Sequence, residues 1–136
     1  MAYGGGYGVT GPADGLTAAV IDSVRLSYHY LDAGDIDGYV SLFDAGAVLR
    51  HPGHHATCGR DQVETAAQRQ ARSGMHLIQR LFGAGNQVAA TGQYSARETG
   101  RPVDVEFADI FTVAENGLLT LKATYFFTAP TGRRPA

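Results

Sequence analysis

Val103-Asp104-Val105-Glu106-Phe107-Ala108-Asp109-Ile110-Phe111-Thr112-Val113 alternates in character from one residue to the next. One set of positions is Val103, Val105, Phe107, Asp109, Phe111 and Val113; the intervening set is more polar. Alternate residues of a strand share a face, so the stretch predicts a β-strand with the first set turned inward. Asp109 then stands in the middle of an apolar face, where an ionised carboxylate without a partner is very costly. It must be neutral, paired, or set in a pocket that uses it.

The flanking sequence extends this strand into a sheet. Met75 to Phe82 reads as a strand, Gly83-Ala84-Gly85-Asn86 as a turn, and Gln87 to Glu98 as the next strand. Thr99-Gly100-Arg101-Pro102 reads as a second turn, Glu115-Asn116-Gly117 as a hairpin signal, and Leu118 to Thr128 as the closing strand. The apolar alternation of the second strand selects Val88, Ala90, Gly92, Tyr94 and Ala96, and that of the last selects Leu119, Leu121, Ala123, Tyr125 and Phe127. Both sets are expected to share the inner face with Asp109. The small residues Ala90, Gly92 and Ala123 would leave a hollow there, lined by Tyr94 and Tyr125.

Upstream the periodicity is helical. Leu16, Val20, Val24 and Leu31, with Ala19 and Tyr28 beside them, predict an amphipathic helix that Gly34 stops. Asp35 or Asp37 caps a shorter helix through Tyr39, Val40, Leu42 and Phe43. Ala47 to His51 is a short strand ended by Pro52-Gly53, and a third helix runs from Arg60 or Asp61 to about Ser73. Helices followed by a strand meander predict an α+β domain, with helices covering one face of a curved, mostly antiparallel sheet.

At 136 residues the chain reads as one domain over 16–129, between a glycine-rich flexible tail at 1–15 and a short tail at 130–136. The first segment has neither the basic nor the apolar region of a signal peptide. A formal net charge of −2 argues against nucleic-acid or anionic-membrane partners, and no apolar run is long enough for a transmembrane helix. The lone Cys58 excludes an internal disulfide and suits a cytoplasmic setting. His51-Pro52-Gly53-His54-His55 is a turn without metal-ligand spacing. Dinucleotide, phosphate-loop and nucleophile-elbow motifs are absent from the sequence, which favours chemistry with no metal and no cofactor.

Two segments carry a family resemblance. Tyr30-Leu31-Asp32-Ala33-Gly34-Asp35-Ile36-Asp37-Gly38-Tyr39-Val40-Ser41-Leu42-Phe43, continuing to Val48-Leu49-Arg50-His51-Pro52-Gly53, is one. Phe107-Ala108-Asp109-Ile110-Phe111 with Asn116-Gly117-Leu118-Leu119 is the other. Both resemble the nuclear transport factor two-like superfamily of cone-shaped α+β folds, above all its SnoaL-like polyketide cyclases and ketosteroid isomerases. The resemblance implies three N-terminal helices packed on the concave face of the sheet. It also places Asp109 at the position of a catalytic acid or base, and His51 where the isomerases carry a general base before a proline. The isomerases' oxyanion tyrosine would fall at Ser27, one residue before Tyr28, and Tyr94 is the nearest polar candidate for a histidine found in some cyclases.

The resulting expectation is a cofactor-independent enzyme of polyketide or related secondary metabolism, of the kind used in antibiotic biosynthesis. Asp109 and His51 would catalyse cyclisation, isomerisation or dehydration (a lyase reaction) of a small apolar oxygenated substrate. Tyr28, His76, Tyr94, Tyr125, Phe107 and Phe111 are the candidate substrate-binding residues. An epoxide hydrolase or epoxide-opening cyclase is the second reading; that chemistry recruits a further buried acid in relatives, and the strands offer only Asp109. A binding module without catalysis is the third. The outer face of the sheet suggests a homodimer.

Overall fold

The Asp109 strand becomes the middle of the sheet because it has a long partner on each side. In a computed structural model that describes residues 15–70, 74–98 and 101–127, β5 (Arg101–Val113) pairs antiparallel with β4 (Gln87–Glu98) and with β6 (Leu119–Phe127). Beyond β4 lies β3 (Gly74–Ala84), also antiparallel. On the other flank β6 runs parallel to β1 (Phe43–Arg50), and β1 pairs with the short β2 (Thr57–Cys58), giving the order β2-β1-β6-β5-β4-β3. The sheet is curved and unclosed, and the helices pack against it, as an α+β cone requires. The tails expected at 1–15 and 130–136 lie outside the described residues apart from Gly15, as do the ends expected at Ser73 for the third helix and at Thr128 for the last strand.

Helix α1 (Gly15–Ala33) buries Val20, Val24, Ser27, Tyr28 and Leu31, the stripe that helical spacing dictates. Gly34, at φ 76°, takes the left-handed conformation that ends it, and the Asp35 N–H closes the turn on the Tyr30 carbonyl at 2.8 Å. The Asp35 carboxylate then caps α2 (Ile36–Ser41) by accepting from the Gly38 N–H at 2.9 Å. Helix α3 (Gly59–Gln70) lies over β1, with Val63 and Ala67 buried. Among the described residues, no helix is long and apolar enough to cross a membrane.

Differences from the sequence reading concern strand ends, one added short strand and the register of β6. Arg101 and Pro102 belong to β5, paired with Glu98 and Arg97, rather than to the turn; Thr99 and Gly100 lie outside the described residues. Strand β1 starts at Phe43, and β2 was not expected.

The larger correction is in β6. Val113 faces Leu119 but Thr112 faces Leu121, so Thr120 is an extra residue, and its hydroxyl donates to the Thr112 carbonyl at 3.2 Å. A one-residue bulge exchanges the two faces of everything after it. Lys122, Thr124 and Phe126 therefore turn inward, while Leu121, Ala123, Tyr125 and Phe127 take the other side; Tyr125 and Phe127 are 56% and 75% exposed.

A second slip lies between Ile78 and Arg80 on β3, opposite Gly92 and Thr91. A Cβ on Gly92 would run into the Leu77 carbonyl oxygen, so this glycine serves close strand approach rather than opening a hollow. Gly92→Ala is expected to destabilise the fold by about 1–3 kcal/mol, the usual cost of overpacking. A lowered urea midpoint would show it; an unchanged midpoint would mean that β3 yields freely at its bulge.

Candidate active site

Asp109 is 2% exposed, and its burial is answered by hydroxyl donors on both sides. The Tyr28 hydroxyl, from α1, donates to Oδ2 at 2.5 Å, and the Thr124 hydroxyl, from the facing position of β6, donates to Oδ1 at 2.5 Å. Of the choices open to a buried acid, this is pairing. Burial and the neighbouring Asp109 push the Tyr28 hydroxyl far above its ordinary pKa, so this tyrosine keeps its proton and acts only as a donor. Ser27, the position expected for an oxyanion donor, is spent on the helix, where its hydroxyl donates to the Val24 carbonyl at 2.6 Å.

Because of the bulge, Lys122 lies beside this group. It is 5% exposed, and Nζ donates to the Tyr39 hydroxyl at 3.2 Å. The ammonium lies 5.5 Å from the ring centres of Tyr28 and Tyr39 and 5.7 Å from that of Phe111. Burial pulls it toward neutrality, but Tyr39 and the carboxylates of Asp109 and Asp32 outweigh that and raise its pKa.

Across the floor from β6, His76 of β3 is clamped by Asp32 of α1. The His76 backbone N–H donates to Oδ2 at 2.8 Å, and Nδ1 lies 2.7 Å from Oδ1. The side chains of His76 and Asp32 are only 5% and 14% exposed. A carboxylate at Nδ1 selects the tautomer with the proton there, leaving the Nε2 lone pair free to accept. Nε2 lies 3.4 Å from the Gln70 amide nitrogen. The ring packs between Tyr94 at 4.8 Å, Tyr28 at 5.0 Å and Phe107 at 5.4 Å. Burial, helped by Lys122, lowers the His76 pKa against the opposing pull of Asp32.

These groups open into a cavity of about 580 Å³. Asp109, Lys122, Thr124, His76 and Tyr94 contribute its polar surface, and Phe107, Phe126, Val105 and Leu49 its apolar walls. His51 stands on the β1 side, its ring edge-on to Phe126 at 5.0 Å and to His54 at 5.3 Å, with its pKa lowered chiefly by burial. Arg50 and Arg69 lie at exposed positions on the lining.

Of the residues singled out from sequence, Asp109, His51, His76, Tyr94 and Phe107 share this one cavity. Tyr28 stands behind Asp109 as its donor, and Phe111 is fully buried edge-on to Tyr28 at 6.0 Å. Tyr125 is a correction: the bulge at Thr120 sends it to the outer face, beside Phe127. Asp32 and Lys122 were missed. A signal for Asp32 exists, since it sits four residues after Tyr28 and so continues the buried stripe of α1; Lys122 has none without the bulge. Among the described residues, no three His, Cys, Asp or Glu side chains are grouped to hold a metal ion.

Two outcomes test this geometry. Tyr28→Phe removes a buried hydrogen bond to a carboxylate and is expected to lower stability by about 1.5–3 kcal/mol, read by urea denaturation. A histidine with a lowered folded pKa binds protons more readily when unfolded, so stability falls as pH drops through about 6.5 toward the folded value. The melting temperature is expected to fall across that window, and less steeply in His76→Gln; equal slopes would contradict burial as the cause.

Residues 24–121 match the profile of the SnoaL-like domain family. No curated protein sequence matches the chain. Among solved structures, Bal32a from a soil-derived mobile gene cassette aligns with a TM-score of 0.76 at 19% identity, covering 82% of this chain and 92% of that one. SalBIII, an epoxide hydrolase/cyclase-like enzyme of pyran ring formation in the polyether salinomycin, aligns with 0.74 at 18%, covering 82% and 92%. A protein named as a SnoaL-like polyketide cyclase, from Jannaschia sp. CCS1, aligns with 0.74 at 14%, covering 85% and 90%. At these identities the likeness is one of fold.

Proposed function

The chain belongs to the SnoaL-like domain family, and from that premise we propose that it is a cofactor-independent acid–base enzyme of polyketide or related secondary metabolism. Its substrate is a small, largely apolar, oxygenated molecule that fits a cavity of about 580 Å³. The observation that carries the reading is His76, held by the nearly buried Asp32 and lining the same cavity as Asp109 and His51. Asp32 orients the imidazole and stabilises the imidazolium that forms when His76 takes a proton. The lowered pKa keeps His76 unprotonated and ready as a base near neutral pH.

The reaction begins with transfer of a proton from the carbon next to a carbonyl to His76 Nε2, while the C–H electron pair forms the carbon–carbon double bond and the carbonyl π pair passes to its oxygen. Return of the proton at another carbon is isomerisation. Attack of the enolate carbon on a second carbonyl is cyclisation, and departure of a β-hydroxyl as water is dehydration. His51, across the cavity, and Asp109, on its floor, carry protons to and from the oxygens involved. Solvent-deuterium exchange into aromatic β-keto esters tests the first step. His76→Gln and Asp32→Asn are expected to slow it by about 10²–10⁴-fold, and Asp109→Asn and His51→Gln to slow product formation. Undiminished exchange in His76→Gln would refute the assignment of the base.

Epoxide opening remains the second reading, and Asp32 is the observation that favours it. This helix residue supplies the second buried acid that the strands lack. One carboxylate would activate water or an internal hydroxyl while an acid protonates the epoxide oxygen. Incorporation of oxygen from labelled water marks hydrolysis. A cavity that only binds its ligand would show none of these turnovers in the native chain.

We also place a homodimer on the outer face of the sheet, where Met75, Leu77, Tyr125 and Phe127 are 65%, 63%, 56% and 75% exposed. Light scattering is expected to give twice the chain mass, and half of that for Phe127→Asp with Leu77→Glu. A monomeric native protein would refute the dimer.

A further inference from the structure

Lys122 is a buried polar side chain on the cavity with hydrogen-bonding capacity to spare. An ammonium has three N–H donors and no acceptor, yet the structure gives this one a single hydrogen bond, to the Tyr39 hydroxyl. Among the described residues, no carboxylate is in ion-pair contact with it. Aromatic rings of Tyr28, Tyr39 and Phe111 offer their faces to the charge but accept no conventional hydrogen bond. A buried cation left this way is costly unless an oxygen comes to meet it. The residue lines the cavity, so that oxygen can be a ligand's.

The surrounding charges say which oxygen. Asp109 of β5 and Asp32 of α1 act on the ammonium through their charge, but both already accept hydrogen bonds from protein groups at each oxygen. His76 of β3, His51 at the end of β1, Tyr28 of α1 and Tyr39 of α2 are the other titratable groups that interact with it. An uncharged carbonyl gains a modest hydrogen bond from Lys122, whereas an oxygen that becomes negative gains a charge-assisted one in a water-poor site. The raised pKa agrees, because it keeps the amine protonated and unable to attack a carbonyl as a nucleophile.

We propose that Lys122 is the oxyanion-binding residue of the cavity, so that the preferred ligands are carbonyl compounds readily held as enolates or phenolates. This deepens the enolisation reading above. In the step from ketone to enolate, the C–H pair becomes the carbon–carbon double bond, the carbonyl π pair ends on the oxygen at Lys122 Nζ, and no proton leaves the lysine. Donation in place, without transfer, distinguishes this role from those of His76 and His51.

The probe is 2-naphthol, whose neutral and ionised forms differ in absorbance, beside 2-methoxynaphthalene, which has a similar ring and no ionisable oxygen. The native protein is expected to bind naphtholate at least about tenfold more tightly than naphthol, which lowers the bound probe's apparent pKa by at least about one unit. It is also expected to bind 2-methoxynaphthalene more weakly than 2-naphthol. Lys122→Met, similar in size and without a donor, is expected to lose the preference for naphtholate while still binding the neutral ring.

Native protein that binds 2-naphthol only in its neutral form, or Lys122→Met that retains the preference, would overturn the proposal. Should Lys122→Met fail to fold, as judged by circular dichroism, the native comparison of the two probes decides alone. Naphtholate binding without deuterium exchange would support Lys122 and refute the proposed enzyme. Exchange without naphtholate preference would do the reverse.

Discussion

A carboxylate in the middle of a sheet's inner face constrains everything around it. Asp109 can sit there only because α1 reaches across with Tyr28 and β6 lies alongside with Thr124. Each donor fixes an element: the first sets the rotation of α1 about its axis, the second the register of β6 after its bulge. Once α1 is held in that rotation, the residue one turn later, Asp32, faces β3 and meets both the backbone and the ring of His76. Once β6 is held in that register, Lys122 comes in with Thr124. One acid thus accounts for the rotation and the register that bring its polar neighbours to the cavity.

The polar groups also divide by whether they are complete. Asp109 and Asp32 have partners at both oxygens, and Tyr28 has its acceptor. The Lys122 ammonium has capacity left over, and His76 Nε2 is met only by a long 3.4 Å contact from the Gln70 amide; both belong to cavity-lining residues. Completed groups hold shape; incomplete ones are where a ligand gains most, because the protein has already met the cost of removing them from bulk water.

Much of this was legible in the sequence, and the limits have a physical cause. Strand alternation placed Asp109 and Phe107 on the inner face, and helical spacing placed Tyr28 on the buried stripe of α1. The same alternation failed on β6, where Leu119, Leu121, Ala123, Tyr125 and Phe127 look like the buried set. A bulge has no local signature there, and of the apolar residues it turns outward Tyr125 and Phe127 remain exposed in the single chain. Asp32 was overlooked for another reason. Its partner His76 is 44 residues away, and a long-range pair is invisible to any reading that moves through local windows.

The bulge at Thr120 also bears on how such a domain changes over time. Residues 121–127 carry two alternative sets of side chains, and chain length before them decides which set meets the cavity. Deleting one residue there would exchange a lysine and a threonine for leucine, alanine and tyrosine without substituting any of them. A lineage can therefore alter the chemistry of its pocket and the character of its outer surface in one insertion or deletion. Sequence comparison that counts substitutions alone would record almost no difference between two such proteins.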